Sequence, residues 1–140
     1  MSSYRTEKDS LGEVHVPSDA LWGAQTQRAI DNFTIARPLP NRFIRAVALI
    51  KVTAAEVNQA LGLLSAQKGA AIADAGRRIV EGEYADQFPV DVFQTGSGTS
   101  TNMNVNAVIA HLCQRAGITV SANDDVNLGQ SSNDTIPSAI

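Results

Sequence analysis

"RFIRAVALIKVTAAEVNQALG", residues 42–62, is the stretch that decides the fold. Its apolar side chains recur at steps of three and four, which is the period of a helix with one buried face. The predicted stripe consists of Phe43, Val47, Ile50, Ala54 and Val57. Asn41 precedes the stretch as a candidate N-cap, and Gly62 ends it as a candidate stop. We therefore predict a long helix whose apolar stripe faces the core.

Three further segments predict a mostly α domain. "VPSDALWGAQTQRAIDNF" begins with Pro17 and Ser18, which are typical of a helix N-terminus. Ser65 and Gly82 bracket an alanine-rich helix, and a last apolar run ends near Gly117. The prolines of "ARPLPN" break any helix, and "EYADQFPVDVF" has no helical period. We predict that "EYADQFPVDVF" is an extended connector.

Composition excludes several classes of protein. The 140 residues are 44% hydrophobic, enough for one globular domain. The net charge of −3, without a basic cluster, argues against nucleic-acid binding. The lone Cys113 cannot form an internal disulfide, and no apolar stretch has membrane-spanning length. No metal-ligand spacing appears. We expect a cytoplasmic protein, and the apolar run that reaches Ile140 without a stop signal indicates a fragment.

Two polar loops carry the chemical signal. "QTGSGTSTNMNVNA", residues 94–107, has glycines, hydroxyls and amides but no charge, and "GQSSND", residues 129–134, again combines a glycine, hydroxyls and amides, followed by Asp134. Glycine lets a ligand approach the backbone, while hydroxyls and the free N–H groups of a following helix suit a small carboxylate. The alternative is that both loops are ordinary capped turns. The residues alone leave the two interpretations open.

A family resemblance is carried by six stretches: "EKDSLGEVHVP", "LWGAQTQRA", "VNQALGLL", "DQFPVDVFQTGSGT", "TGSGTSTNMN" and "NDDVNLGQSSND". Together they closely resemble the class II fumarase branch of the fumarase/aspartase superfamily, from about Tyr4 to Ile140. Aspartases usually have alanine where this chain has Ser97 and threonine where it has Ser132. The resemblance implies an N-terminal helical domain over residues 1–140. This domain would end at the start of the central helical region, with the central bundle and the C-terminal domain absent.

The resemblance also implies a function, which is the reversible hydration of fumarate to L-malate by a homotetramer that needs no cofactor. It assigns the substrate contacts to Ser97, Gly98, Thr99, Ser131, Ser132 and Asn133. The family's Thr-His pair, and its later loop with the catalytic serine and a lysine, do not occur in these 140 residues. No catalytic residue is therefore assigned here, and the chain alone is expected to be inactive. The alternatives are an aspartate ammonia-lyase and a non-enzymatic helical module for binding or assembly.

A second, shallower dicarboxylate site of the family is usually built on His-Pro-Asn-Asp. The corresponding residues here are Ser121, Ala122, Asn123 and Asp124. The imidazole donor is lost and Asp124 would repel an anion, so a polar turn is the alternative. We predict that His111 is a partly buried structural residue, that Cys113 packs in the core, and that Asp124 and Asp125 cap or orient their neighbours.

Overall fold

The computed structural model describes residues 3–32, 41–89 and 99–130, together with the side chains in these ranges except those of residues 32, 41, 99 and 100. A two-stranded antiparallel hairpin comes first, formed by β1 (Tyr4–Asp9) and β2 (Gly12–Pro17). Four helices follow: α1 (Ala24–Asn32), α2 (Asn41–Ala60), α3 (Ala66–Val80) and α4 (Thr99–Arg115). The prediction of a mostly α domain is confirmed. The segment "ARPLPN" lies outside the described residues.

The N-terminal hairpin was not predicted, and the predicted helix start at Pro17 is wrong. Pro17 ends β2, and α1 begins only at Ala24. The Arg5 side chain explains the difference, because its guanidinium donates to the carbonyls of Pro17 at 2.9 Å, Ala20 at 2.6 Å and Trp22 at 2.6 Å. Together with the Ala20 backbone N–H, which donates to the Pro17 carbonyl at 3.0 Å, these contacts hold the chain after Pro17 in a non-helical path.

Helices α2 and α3 form the centre of the fold. Ser65 caps α3 by accepting a hydrogen bond from the Lys68 backbone N–H at 3.2 Å, as predicted. Gly62 and Gly82 follow their helices with φ of +75° and +95°. These are left-handed conformations that favour glycine as a stop. The predicted ends of both helices and the predicted start of α3 are therefore confirmed, whereas α2 begins at Asn41 itself, which was predicted as the cap preceding the helix.

The predicted core stripe of α2 is largely wrong. Val47 is buried as predicted, but Val57 is 50% exposed, and Phe43, Ile50 and Ala54 are only partly buried. The face that is buried consists of Ile44, Val47, Ala48, Lys51, Val52, Ala55 and Asn58. Apolar side chains cover more of the circumference of α2 than the core contacts, so the sequence period does not fix which part of that surface turns inward. The packing of α3 and α4 against α2 decides which face is buried.

The segment between α3 and α4 is not simply extended. Tyr84 has a φ of +63°, and a short 3₁₀ turn follows at Ala85–Gln87. The prediction of an extended connector is wrong for these residues, and the part from residue 90 onward lies outside the described structure. Phe88 is buried with the residues of α2, α3 and α4 in one core. Within the described ranges, no helix is both long and apolar enough to cross a membrane.

Candidate functional site

The first predicted loop is shorter than predicted, because α4 begins at Thr99 and ends at Arg115, so that residues 99–107 are helical and only residues 94–98 precede the helix. The first-turn N–H groups of such a helix have no intrahelical partner and lie at its positive end. Of the predicted contacts, Thr99 has a described backbone position, whereas Ser97 and Gly98 lie outside the described residues. The structure therefore supplies a helix N-terminus at this loop and leaves the loop's own contacts as a prediction.

Three asparagines in the first turns of α4 are almost fully buried: Asn102, Asn104 and Asn106. The Asn104 amide donates to the Gln87 carbonyl at 3.0 Å. The Asn106 amide lies 3.6 Å from the Met103 sulfur. Part of the amide content of "QTGSGTSTNMNVNA" therefore lies inside the protein, where it ties α4 to the preceding segment. Composition alone did not separate these buried amides from groups that could face a ligand.

The second predicted loop, residues 129–134, begins within a tightly bonded segment, residues 126–130. We use "second loop" for its part from Ser131 onward, which carries the predicted contacts. Gln130 donates from its side-chain amide to the carbonyls of Val126 at 3.0 Å and Leu128 at 3.3 Å. Its backbone N–H donates to the Asn127 carbonyl at 3.1 Å. Gly129 has a φ of +71°, which allows the chain to turn there. The predicted contacts that come next, Ser131, Ser132 and Asn133, lie outside the described residues.

The flanks of the two loops are in direct contact. The Asn102 side-chain amide, near the start of α4, donates to Asn127 Oδ1 at 3.2 Å. Asn102 is three residues beyond Thr99, and Asn127 is four residues before Ser131. An extended residue spans at most about 3.6 Å, so both loops leave from one small region of the molecule. The fold thus brings together the anchors of the two loops that the sequence singles out.

Lys51 of α2 lies at the same junction, and sequence reasoning missed it. Its side chain is fully buried, and its ammonium Nζ donates to Asn127 Oδ1 at 3.1 Å and to Gln130 Oε1 at 2.8 Å. Burial lowers the pKa of Lys51 to about 7. We name Lys51, Asn102, Asn127 and Gln130 the Lys51 cluster. The available signal was a single lysine between Ile50 and Val52 within an apolar helix.

The four residues of the second predicted site start a single π-type turn, Ala122–Val126. The Ser121 hydroxyl accepts a hydrogen bond from the Asp124 backbone N–H at 3.1 Å, so it caps this turn. Asn123 and Asp124 are exposed. Asp125 Oδ2 accepts from the Ser121 backbone N–H at 2.8 Å and pairs with Lys68 Nζ at 3.1 Å. The orienting role predicted for Asp125 is confirmed, while dicarboxylate binding at Ser121–Asp124 stays a prediction.

His111 and Cys113 have the structural roles that were predicted for them. His111 is partly buried on α4, with Nδ1 at 2.9 Å from the Ala107 carbonyl and Nε2 at 4.0 Å from Glu7 Oε1. Cys113 is buried in the core, and burial, with a smaller contribution from Asp74, raises the pKa of its thiol to about 11. A thiol with a raised pKa is a poor nucleophile. Both predictions are confirmed.

The family of the chain follows from its match to known proteins. A protein-family model described as "Lyase" matches residues 12–140, so the chain belongs to this lyase family. A class II fumarate hydratase of Mycobacterium tuberculosis is 55% identical over 139 residues, which are 99% of this chain and 29% of that protein. A class II fumarate hydratase of Halobacterium salinarum is 55% identical, over 98% of this chain and 31% of that protein.

Solved structures agree with this family. A class II fumarase from Schistosoma mansoni matches with a TM-score of 0.94 at 41% identity, over 98% of this chain and 31% of that one. A fumarate lyase:delta crystallin from Brucella melitensis matches with a TM-score of 0.91 at 44% identity, over 98% of this chain and 34% of that one. The predicted resemblance to class II fumarases is confirmed. The chain spans about three-tenths of the length of the curated relatives it matches.

Proposed function

We propose that the lyase polypeptide carrying this segment hydrates fumarate reversibly to L-malate, with the two polar loops of this segment binding the dicarboxylate. The proposed contacts are Ser97, Gly98, Thr99, Ser131, Ser132 and Asn133. The observation that carries the proposal is the 3.2 Å hydrogen bond between Asn102 and Asn127, which joins the anchors of these loops. The names of the relatives, which are class II fumarate hydratases, support the choice of substrate.

The chemistry explains why neutral donors suit this site. Removal of the proton next to a carboxylate of malate leaves an aci-carboxylate dianion, whose developing charge must be stabilised before hydroxide leaves. Fixed hydrogen-bond donors in a dry site stabilise such charge strongly, because they need no reorganisation during the reaction. The hydroxyl and amide groups of the two loops, with the N-terminus of α4, are donors of this kind.

In this proposal, the rest of the active site comes from elsewhere in the lyase. The resemblance places the acid–base groups and a cationic lysine in the family's Thr-His pair and later serine loop. It also implies a homotetramer in which each active site takes loops from several chains. We propose a cytoplasmic location on the same basis. The segment described here would then be a binding half-site, and catalysis would depend on the partner loops.

The proposal is tested by the choice between water and ammonia as the added group. We expect the full-length lyase to release fumarate from L-malate and not from L-aspartate, followed separately by ultraviolet absorbance. A hydroxyl at Ser97, where aspartases usually have alanine, can hydrogen-bond the malate hydroxyl or the attacking water. The matched variant Ser97→Ala is expected to lose malate activity, whereas Thr53→Ala removes an exposed hydroxyl on α2 and serves as control. Fumarate release from aspartate at a comparable rate would assign the segment to the ammonia-lyase branch instead.

A further inference from the structure

The Lys51 side chain is an unusual occupant of a helix core. It is fully buried in α2, whereas lysine is almost never fully buried unless it is paired. Its described partners are two neutral amide oxygens, of Asn127 and Gln130, and no carboxylate. Burying a charge that has no opposite charge beside it costs free energy. General stability is therefore a weak reason for a lysine at this position.

Both partners of Lys51 belong to one short segment of the chain. Asn127 and Gln130 are 76 and 79 residues away in sequence and lie on the same turn, immediately before Ser131. Gln130 is the last described residue before the second loop. Two turns further along α2, Asn58 donates to the Leu128 carbonyl at 3.1 Å. One face of α2 thus holds residues 126–130 at three points.

The same contacts reach the first loop. Asn127 Oδ1 accepts from Lys51 Nζ and also from the Asn102 amide at 3.2 Å. One oxygen therefore connects α2, the flank of the second loop and the first turns of α4. A shift of Lys51 would release Gln130 and loosen Asn127 together, and so would affect the spacing between the two loops.

We propose that Lys51 is a positioning residue for fumarate binding and hydration, which fixes the second loop relative to the first through Asn127 and Gln130. This inference rests on the proposed function of the two loops. Lys51 is a positioning residue and not a catalytic one, since its buried side chain ends on protein oxygens. A misplacement of about 1 Å in a catalytic geometry lowers rates by roughly a hundredfold, so a small movement of the second loop is sufficient.

The test uses the full-length lyase with two variants that break the same contact from opposite sides. Lys51→Met removes the ammonium and keeps most of the side-chain volume, and Gln130→Met removes one of its acceptors. We expect each to lower kcat/KM for fumarate by roughly tenfold to a hundredfold, mainly through kcat. The double variant should be little worse than either single one, because residues in one contact are not additive. Lys68→Met is the matched control, since Lys68 is a partly exposed lysine that pairs with Asp125, the residue immediately before this segment.

Hydrogen–deuterium exchange gives a readout that does not depend on activity. We expect the peptide covering residues 126–134 to exchange faster in Lys51→Met than in the wild type or in Lys68→Met, with α3 unchanged. Unchanged kcat and KM together with unchanged exchange of this peptide would overturn the proposal. Activity that falls only in step with the melting temperature, with exchange rising throughout α2 and α4, would also overturn it. If the Lys51 variant does not fold, Gln130→Met decides. A wild-type lyase that does not hydrate fumarate would refute the proposed function, and the exchange of this peptide would still decide the role of Lys51.

Discussion

The buried face of helix α2 has an apolar side and a polar side, which are packed in different ways. On one side, α2 lies so close to α3 that a Cβ added at Gly76 would be 2.6 Å from Val52 Cγ2. On the other side, Lys51 and Asn58 donate hydrogen bonds to the segment that precedes the second polar loop. The first contact is made by small apolar groups and sets the distance between two helices. The second is made by polar groups and holds residues 127–130, which lead into Ser131. The comparison separates residues that maintain the scaffold from residues that maintain the site.

The largest expected effect concerns activity of the 140-residue chain alone. It contains both sides of α2 and both loops, but lacks the family's Thr-His pair and serine loop. Loss of the acid–base groups lowers rates by about 10²–10⁴-fold, and loss of partner loops adds to this. We expect no measurable fumarate hydration by ultraviolet absorbance, with the full-length lyase as positive control. Turnover on the order of 10 per second would contradict the division of labour proposed here.

The pH dependence of the free energy of unfolding tests the polar side of α2, where Lys51 is buried. Burial lowers the pKa of Lys51 from 10.5 to about 7, so from pH 7 upward the unfolded chain holds more protons at this site than the folded chain. The free energy of unfolding should therefore rise with pH from about 7, by at most about 1.4 kcal/mol per pH unit. This destabilisation by the buried charge is fully present below pH 7 and is progressively lost as pH approaches 10.5.

The measurement is urea unfolding of the wild type and of Lys51→Met across pH 6 to 9. The quantity compared is the difference between their free energies of unfolding at each pH. The difference removes contributions from other groups. Cys113 acts in the opposite direction above pH 9, because burial raises the pKa of its thiol from 9.0 to about 11. We expect the wild type to gain stability relative to Lys51→Met as pH rises. Parallel curves would mean that Lys51 titrates as an exposed lysine does.

Substitutions at two glycines of α3 test the apolar side of α2. Gly76→Ala places a methyl group against Val52 and 3.4 Å from the Ala48 carbonyl, and overpacking of this kind costs about 1–3 kcal/mol. Gly69→Ala is the matched control, because its closest contact, at 2.5 Å, is Gln59 Oε1 at the far end of a flexible side chain, with Gln59 Cβ at 3.1 Å. We expect Gly76→Ala to lower the melting temperature and leave kcat/KM unchanged. Relief of the loss by Val52→Ala would identify the contact, and equal effects of the two glycine variants would argue against it.

The sequence predicted local features well and long-range ones poorly. The cap Ser65 and the stops Gly62 and Gly82 were predicted correctly, because each depends on the few residues around it. The start of α1 was predicted wrongly, because it depends on a contact from a distant residue. Arg5 of β1 donates hydrogen bonds to the carbonyls of Pro17 and Ala20. The alternation of Val14 and Val16 with polar neighbours was an available signal for the hairpin.

The candidate site likewise has a part that was predicted from local sequence and a part that was missed because it depends on long-range contacts. The two loops were predicted from their own composition of glycine, hydroxyl and amide groups. The Lys51 cluster was not, because its members lie up to 79 residues apart and meet only when α2 packs against the segment before Ser131. A lysine within an apolar helix gives no indication of its partner. The predicted stripe of α2 failed for a related reason, since tertiary packing decided which face was buried.

The central claim is that the loops bind the dicarboxylate while the helices maintain the fold, and variants at Thr99 and Asn133 test it most directly. Thr99→Ala and Asn133→Ala in the full-length lyase each remove a polar group expected to contact a charged ligand, which is worth about 1.5–3 kcal/mol. Steady-state kinetics and thermal melts on the same samples are the measurement. We predict that kcat/KM falls by roughly 10-fold to 150-fold while the melting temperature stays near that of the wild type. A large fall in melting temperature with normal kinetics would contradict the claim and make both residues structural.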